Sequence, residues 1–479
     1  MNVYDIISNS AEKFPNNVAI IDQYGNLTYK ELLQEIEDRC ALLKKIGVSD
    51  GQGIGVMGRN GRNFIITAFA VLGCGATIMP MSYQLKQNEI DAVLSNTDLH
   101  AIIDDMSGIS PLEKIGCPIE IPGIKPMRFA WTQTDKSQPF INNVQNPAIV
   151  RYTSGTTGTA KGVIISHNNV FERIFSANKG LQISPEDKIL WILPMAFHFI
   201  VSIVLYLSVG STIIICRDNL AQTLIEEGNR HCATFLYASP LCYRMLAVDK
   251  SGIKFNYLKH AISTSTGISE QTALSFLERF GLPITQAYGI IEVGLPIINL
   301  ENPIENPLSI GHSLPDYQVA ILDDNFEPLC IGEVGQLGIK GPGMFDAYLN
   351  PPIQKSEVLE NGWFLTGDLA KQTSNGLITL VGRCKSLINV AGNKVFPEEV
   401  ESVLNSHPAI ETSHVFGREH PLLKEVVHAK VVLNDENNTI DIEELITFCS
   451  KQLTFSKVPQ SITVVERIEK TESGKIFRR

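Results

Sequence analysis

One short segment of the chain combines the residue types that bind phosphate. It runs Tyr152-Thr-Ser-Gly-Thr-Thr-Gly-Thr-Ala-Lys-Gly162 and directly follows an apolar strand-like run. Glycines let backbone N–H groups approach oxyanions, hydroxyl groups donate further hydrogen bonds, and a lysine adds positive charge. The GK[ST] ending of a Walker A loop is missing, so the segment predicts a phosphate site of another type. Its expected ligand-binding residues are Thr153, Ser154, Gly155, Thr156, Thr157, Gly158 and Lys161.

Eight further motifs lie before or after this loop, and together they extend over nearly the whole sequence. They are Ala70–Ala76, Pro194–His198, Gln286–Glu292, Gly332–Gly341, Trp363–Asp368, Gly382–Lys385, Gly392–Glu401 and Lys470–Ile476. With the loop, this series resembles the adenylate-forming superfamily of acyl-CoA synthetases, peptide-synthetase adenylation domains and luciferases. The resemblance implies an enzyme that uses ATP to convert a carboxylic acid to its acyl-adenylate and then passes the acyl group to an acceptor.

The resemblance also implies where the nucleotide lies. Tyr288 would stack on adenine, and Asp368 would accept hydrogen bonds from both ribose hydroxyls, a role that suits a carboxylate. Taken singly, a tyrosine is more often a core residue and Thr-Gly-Asp is an ordinary turn. The remaining nucleotide contacts would come from Ser265, Thr266, Gly267, Gly289 and Arg383.

Charge neutralisation during adenylation is assigned by the same resemblance. Glu292, with Thr157, would hold Mg²⁺, which prefers carboxylate oxygen and bridges phosphate oxygens. Lys475 would be the main catalytic residue, because a mobile ammonium can neutralise the charge that builds up as pyrophosphate departs. Composition alone would favour a solvated basic tail at this end of the chain.

The acyl side of the site is implied by the aromatic-His motif. Phe197 and His198 would border the substrate and the passage to the acceptor, although a histidine on an apolar segment is more often a core residue. The segment after His198 lacks the aspartate that pairs with the ammonium of α-amino acids in related domains, and burying an unpaired ammonium would be costly. We therefore expect an uncharged, substantially apolar acyl or aryl group. The other expected pocket residues are Val201, Ser202, Ile290, Ile291 and Gly294.

Three functional hypotheses remain at this point. The leading one is an acid:CoA ligase, with CoA passing near Lys385, Ser386 and Gly392. The second keeps adenylation but transfers the acyl group to a carrier-protein thiol or to an amine. The third is a nucleotide-binding pseudoenzyme, which is motivated by Ile291 in place of the threonine of YGxTE and disfavoured by the retention of Glu292 and Lys475. Other departures from the family pattern are Ala160, Ser386, Asn389 and Lys394.

Helix-length segments alternate with short apolar runs over the first several hundred residues, which predicts an α/β fold with parallel, helix-covered sheets. From about residue 309 shorter strands and Gly/Pro turns predict a barrel-like β subdomain. We expect an N-terminal core at 1–384, a hinge at 385–386 and a small, mobile α+β lid domain at 387–479. The uncharged stretch from Ile189 to Cys216 is expected to be core, not a membrane span, because Pro194, Gly210 and several polar residues interrupt it.

Bulk composition sets limits on partners and location. The 479 residues are 44% hydrophobic and 19% charged, as in a globular protein with a sizeable core. A net charge of -11 argues against broad binding to nucleic acid or to anionic membranes. Nine cysteines without a CxxC pair, and a beginning without a basic and apolar secretory signal, predict reduced thiols in the cytoplasm.

Overall fold

The computed structural model describes residues 1–123, 125–153, 161–434 and 440–469. The helices are α1 Asp5–Lys13, α2 Tyr29–Ile46, α3 Arg62–Gly73, α4 Gln87–Asn96, α5 Leu112–Ile115, α6 His167–Leu181, α7 Met195–His198, α8 Val204–Ser208, α9 Ala221–Arg230, α10 Pro240–Val248, α11 Glu270–Phe280, α12 Lys355–Val358, α13 Pro397–Asn405 and α14 Ile442–Ser450. A π-helix spans Phe199–Ile203, and 3-10 helices span Cys384–Ser386 and Phe455–Lys457.

The strands alternate with these helices through the first two thirds of the chain. They are β1 Val18–Asp22, β2 Gly25–Thr28, β3 Gly53–Gly58, β4 Thr77–Ser82, β5 Ala101–Asp104, β6 Ile119–Ile121, β7 Met127–Trp131, β8 Pro147–Thr153, β9 Lys161–Ser166, β10 Lys188–Trp191, β11 Thr212–Ile215, β12 Phe235–Ala238, β13 His260–Ser263, β14 Ile284–Ile290, β15 Gly294–Ile298, β16 His312–Ser313, β17 Gln318–Leu322, β18 Gly335–Lys340, β19 Ala347–Tyr348, β20 Ile353–Gln354, β21 Phe364–Gln372, β22 Ile378–Arg383, β23 Ile388–Val390, β24 Asn393–Val395, β25 Ile410–His420, β26 Lys424–Leu433 and β27 Ser461–Val464.

Two nine-stranded sheets form most of the molecule. The first has the order β16-β15-β14-β13-β12-β10-β11-β1-β2, and its strands from β14 to β1 are parallel. The second has the order β20-β19-β9-β8-β4-β3-β5-β7-β6, with β8, β4, β3 and β5 parallel. Both sheets contribute to one hydrophobic cluster, which includes Ile54, Phe69 and Ile189. The α/β fold predicted from the alternating pattern is confirmed.

The uncharged stretch from Ile189 to Cys216 lies within this core. Its residues form β10, α7, the π-helix, α8 and β11, and β11 is buried along its whole length as a strand paired in parallel with β1 and β10. The sequence predicted a buried helix followed by a buried strand, but not the π-helix. In the described part of the chain, no helix is both long and apolar enough to cross a membrane.

Two smaller sheets follow. The strands β17, β18, β21 and β22 form a four-stranded antiparallel sheet where the β subdomain was expected. The last five strands form a sheet that packs with α13 and α14 around a separate hydrophobic cluster, including Val400, Val427 and Leu445. The protein therefore has a large N-terminal domain and a small C-terminal domain, while the exact boundaries and the mobility of the lid stay predictions.

Candidate active site

A buried hydrogen-bonded cluster lies near the carboxyl end of β14. The Tyr288 hydroxyl donates to Asp368 Oδ2 at 2.6 Å, and Arg383 Nε lies 2.8 Å from Asp368 Oδ1. Asp368 and Arg383 meet because they are register partners on β21 and β22. Burial, and then the charge of Asp368, raise the pKa of Tyr288 well above its ordinary value, so the phenol stays protonated and donates. The structure thus brings together three residues of the predicted nucleotide site.

The segment expected to contact the base lies at the same edge of the sheet. Residues 265–267 follow β13, which pairs in parallel with β14, so both strands end on one side. Thr266 and Gly267 are exposed there, and Ser265 has a φ of 79°. Gly289 is fixed by close packing, because a Cβ at this position would lie 2.6 Å from the carbonyl oxygen of Gly294.

The phosphate segment joins two antiparallel strands. Thr153 at the end of β8 is opposite Lys161 at the start of β9, and we call this antiparallel pair of strands the phosphate hairpin. Five predicted residues of this segment, Ser154, Gly155, Thr156, Thr157 and Gly158, lie outside the described residues, as does the side chain of Thr153. Lys161 is exposed, and its Nζ lies 4.6 Å from the centroid of the Tyr348 ring.

Glu292 lies close to this hairpin through Tyr348. The Tyr348 hydroxyl is 3.3 Å from Glu292 Oε1. Burial raises the pKa of the Tyr348 phenol, which is therefore the donor. Burial also raises the pKa of Glu292, but the hydrogen bond from Tyr348 and the charges of Arg173 and Lys161 oppose this shift. These three groups favour the carboxylate form of a half-buried glutamate.

Arg173 fixes the backbone beside Glu292. This arginine is 0% exposed, and its guanidinium donates to the carbonyl oxygens of Gly343 at 2.9 Å and Ile291 at 3.0 Å. Burial lowers the pKa of Arg173 to about 10, so it stays charged at neutral pH. A buried cation therefore lies beneath the loop that carries Glu292.

The aromatic-His segment packs against the carboxyl ends of β10 and β12. His198 contacts the rings of Trp191 and Tyr237 edge-on, with centroid distances of 6.0 and 6.4 Å. The Phe197 ring lies under the guanidinium of Arg151, 4.0 Å from its Cζ, and Arg151 also donates to the carbonyl oxygen of Ala196. Both Phe197 and His198 are half-buried, which leaves part of each ring available to a ligand.

The other predicted pocket residues lie on two neighbouring segments. Val201 and Ser202 belong to the π-helix, a feature that often occurs at functional sites. Ile290 and Ile291 lie half-buried against the main core at the turn from β14 to β15. Gly294 has a φ of 104°, and a Cβ there would lie 3.3 Å from Arg173. Glu292 and the isoleucines therefore share one turn.

The predicted hinge is a 3-10 helix directly after β22. Ser386 Oγ donates to the carbonyl oxygen of Arg383 at 3.2 Å and lies 3.4 Å from Glu398 Oε1, while Lys385 is exposed. Gly392 lies in the two-residue turn between β23 and β24, with a φ of 89° that favours glycine. Lys475 lies outside the described residues.

Comparison with known proteins identifies the family of this chain. Residues 7–349 match the family model described as AMP-binding enzyme, and residues 399–475 match the model of the AMP-binding enzyme C-terminal domain. The chain belongs to the AMP-binding enzyme family. Its relatives include CoA ligases, so the family evidence supports the enzyme class predicted from the sequence, an AMP-forming acid–thiol ligase.

Individual relatives of this AMP-binding enzyme match over nearly their full length. The chain is 26% identical over 500 residues to an oxalate–CoA ligase of Arabidopsis thaliana, covering 99% of this chain and 96% of that protein. The fold is similar to o-succinylbenzoate CoA synthetase of Bacillus subtilis in complex with its acyl-adenylate, with a TM-score of 0.88, 23% identity and coverage of 100% and 97%. It is also similar to an amide bond synthetase of Marinactinospora thermotolerans, with a TM-score of 0.84, 22% identity and coverage of 99% and 98%.

The magnesium ion that the family implies fits a single carboxylate donor. Mg²⁺ usually binds through one or two protein carboxylates and completes its shell with water and substrate phosphates. Glu292 provides such a carboxylate next to the phosphate hairpin. Within the described ranges, no group of three or more His, Cys, Asp or Glu side chains could form a closed metal cage. The residues present therefore fit a Mg²⁺ ion that Glu292 would hold together with the phosphates of ATP.

Sequence reasoning missed three residues of this AMP-binding enzyme site. Arg173 sits in the middle of α6 and Tyr348 in a two-residue strand, where neither has a local signal. Arg151 offers one weak signal, since a charged residue interrupts the apolar strand that leads into the phosphate segment. Their partners, Gly343, Glu292 and Phe197, are more than 40 positions away along the chain, so only the fold reveals them.

Proposed function

We propose that this enzyme activates a substantially apolar carboxylic acid as its acyl-adenylate, releases pyrophosphate, and transfers the acyl group to the thiol of CoA. The observation that carries the proposal is the Tyr288–Asp368–Arg383 cluster, which lies at one sheet edge with the turn of Glu292. A carboxylate such as Asp368 has acceptor sites on both oxygens, and it can accept hydrogen bonds from the hydroxyls of a ribose. The nine free cysteines also fit a reducing compartment, and we infer a cytoplasmic location.

Binding and orientation of ATP are assigned to the described residues as follows. Tyr288 and the segment 265–267 would receive the base, and Asp368 with Arg383 would receive the ribose. Lys161 and the hydroxyl-rich hairpin would direct the phosphates toward Glu292. Mg²⁺, when bound there, would neutralise phosphate charge. Lys475 would stabilise the charge that develops as the acid oxygen attacks the α-phosphorus and pyrophosphate leaves.

The acid would bind beside Phe197 and His198. The neighbouring groups that face this segment are largely rings and aliphatic side chains, including Trp191, Tyr237 and Val201. An apolar acyl or aryl body is stabilised in such surroundings by its removal from water, at about 25 cal/mol per Å². The carboxylate of the acid must then point toward the turn of Glu292 and the phosphate hairpin, where the cations lie.

The acceptor is proposed to be CoA, since curated relatives along the full chain are CoA ligases. An amine acceptor is the second candidate, because the fold is also that of an amide bond synthetase. A carrier-protein thiol would use the same acyl-adenylate. In each case the nucleotide and acid sites would act identically, and only the second half-reaction would differ.

The decisive experiment measures acid-dependent pyrophosphate release with aliphatic, aromatic and amino acids, with and without CoA, and identifies products by mass spectrometry. We expect release with apolar acids and formation of acyl-CoA. Glu292→Gln should lose this activity, whereas Glu305→Gln, at an exposed position, should keep it. Pyrophosphate release without formation of a thioester would indicate that the acceptor is an amine or a carrier-protein thiol. Absence of pyrophosphate release with every acid would contradict adenylation itself.

A further inference from the structure

Four aromatic side chains form a compact cluster behind the aromatic-His segment, which we call the aromatic box: Trp191, His198, Tyr206 and Tyr237. Trp191 and Tyr237 are stacked with an interplanar angle of 8° and centroids 6.2 Å apart. Tyr206 meets Trp191 edge-on at 5.9 Å, and His198 meets both Trp191 and Tyr237 edge-on. His198 is the half-buried member of the box, and it belongs to the segment that is predicted to border the acid.

Two hydrogen-bond donors of the aromatic box have no acceptor among the described residues. Trp191 is 0% exposed and Tyr206 is 1% exposed. Neither the indole Nε1 of Trp191 nor the hydroxyl of Tyr206 has a hydrogen-bond partner among the residues that the structure describes. The Ser202 side chain lowers the pKa of the Tyr206 phenol, which is the effect of a group that donates to the phenol oxygen. This interaction leaves the proton of the phenol itself without an acceptor among the described residues. Eight buried side-chain polar atoms of the described residues have no partner, and these two belong to rings that contact each other. Because buried polar groups are nearly always paired, such a pair of unsatisfied donors requires an explanation.

Both donors remain donors at neutral pH. An indole N–H can only donate, and a phenol donates as long as it is protonated. Burial raises the pKa of Tyr206 well above its ordinary value, so the phenol does not ionise. Any group that satisfies both atoms must therefore accept hydrogen bonds.

The aromatic box lies at the same sheet edge as the nucleotide cluster. Trp191 is the last residue of β10, and Tyr237 is the penultimate residue of the neighbouring parallel strand β12. The next strands in the sheet are β13, which leads to residues 265–267, and β14, which carries Tyr288. Ligands of open parallel sheets bind outside the carboxyl ends of the strands. An acyl group attached to a nucleotide held at β13 and β14 therefore has the box as its neighbour.

We propose that the acid substrate carries an uncharged hydrogen-bond acceptor, such as a keto, ether or hydroxyl oxygen, at the end away from its carboxylate, and that Trp191 and Tyr206 bind this acceptor. The inference rests on the proposed function and narrows its substrate class. An uncharged acceptor is specified because neither donor carries a charge, and a second carboxylate desolvated against neutral donors would be costly. Trp191 and Tyr206 are thus specificity-determining residues.

The test compares acids that differ only in this acceptor. Suitable pairs are 4-acetylbenzoate with 4-isopropylbenzoate, 4-methoxybenzoate with 4-ethylbenzoate, and 4-oxopentanoate with 4-methylpentanoate. The ratio of kcat/KM for pyrophosphate release within each pair is measured for the wild type, for Tyr206→Phe and Trp191→Phe, and for Tyr257→Phe as an exposed control. Binding of the same acids is followed by tryptophan fluorescence without ATP, since Trp191 is one of three tryptophans.

We expect the wild type to prefer the oxygen-bearing acid in at least one pair by about tenfold or more, because a site built to donate hydrogen bonds rejects analogues without an acceptor. Tyr206→Phe and Trp191→Phe should each reduce this ratio while leaving the KM for ATP unchanged, and Tyr257→Phe should leave it as it is. A general loss of folding would instead lower kcat/KM for both members of a pair.

Other outcomes overturn the inference and separate it from the proposed function. If pyrophosphate is released without a preference in any pair, the two donors do not bind the acid, while adenylation stands. The same conclusion follows if Tyr206→Phe and Trp191→Phe both retain the preference of the wild type. If fluorescence shows tighter binding of the oxygen-bearing acids but no pyrophosphate is released, this inference stands and adenylation is contradicted. Neither release nor a fluorescence change with any acid would contradict both.

Discussion

The two halves of the site differ in the contacts of the groups proposed to bind the ligands. On the nucleotide side each buried charge has a partner, as Asp368 has Arg383 and Tyr288, and Glu292 has Tyr348. On the acyl side, ring packing dominates, and two buried donors of the aromatic box have no partner in the part of the chain that the structure describes. The paired groups of the nucleotide side can exchange their partners for ATP, which is the same ligand whichever acid is used. Unsatisfied donors, in contrast, favour acids that supply what is missing.

The largest expected effect is on the first half-reaction and comes from Lys475→Ala. Removing a preorganised charge at the reacting phosphate should lower the rate of adenylate formation by about 10²–10³-fold. ATP binding should be largely unaffected, which calorimetry can check alongside the rate of pyrophosphate release. Lys451→Ala, at an exposed position of the same domain, serves as the control. An undiminished adenylation rate would remove Lys475 from the mechanism.

Asp368→Asn tests the nucleotide side of the site, where the buried charges have partners. The change removes the charge that pairs with Arg383 and weakens the acceptor of Tyr288 and of the ribose. We expect the KM for ATP to rise by about 10- to 100-fold, as charged hydrogen bonds contribute about 1.5–3 kcal/mol. The preference among acids should not change. Asp324→Asn, which is exposed in the same subdomain, should behave like the wild type, and a shift in acid preference instead of ATP affinity would contradict the division into two halves.

Tyr348→Phe also acts on the nucleotide side of the site, and its effect on activity should be smaller than that of Asp368→Asn. It removes only the hydrogen bond to Glu292 and leaves the ring next to Lys161. The Mg²⁺ concentration needed for half-maximal activity should rise by about two- to tenfold, in line with a net hydrogen-bond contribution of about 0.5–1.5 kcal/mol. Magnesium titrations at fixed ATP provide the measurement, with Tyr257→Phe as the matched exposed change. An unchanged magnesium requirement would leave Tyr348 with a packing role only.

Ile291→Thr, at the boundary between the two halves, should have the smallest effect. A threonine hydroxyl would restore the donor of the YGxTE motif, while the Ile291 carbonyl would keep its bond to Arg173. Activity should stay the same or rise by up to about tenfold, the range of one added hydrogen bond. Steady-state rates with the best acid of the panel decide the outcome. A large loss would instead assign Ile291 to the wall of the acyl pocket.

The sequence predicted the elements that carry the site with few errors. The uncharged stretch from Ile189 to Cys216 forms core helices and strands as predicted, because its apolar runs and their interruptions are local properties of the sequence. The π-helix was missed, since one extra residue in a helical turn leaves no mark in an apolar segment. The predicted roles of the site residues, including residues 154–158 and Lys475, stay predictions.

The sequence by itself determined the α/β class and, through its ordered motifs, the family to which the chain belongs, because apolar runs and motifs are local properties of the chain. Only the tertiary structure decided which residues share an environment. Tyr288 and Asp368 are separated by 80 positions, and Trp191 meets Tyr237 across parallel strands. Pairing and burial of polar atoms depend on such distant contacts. The unpaired donors of the aromatic box could therefore appear only once the chain was folded.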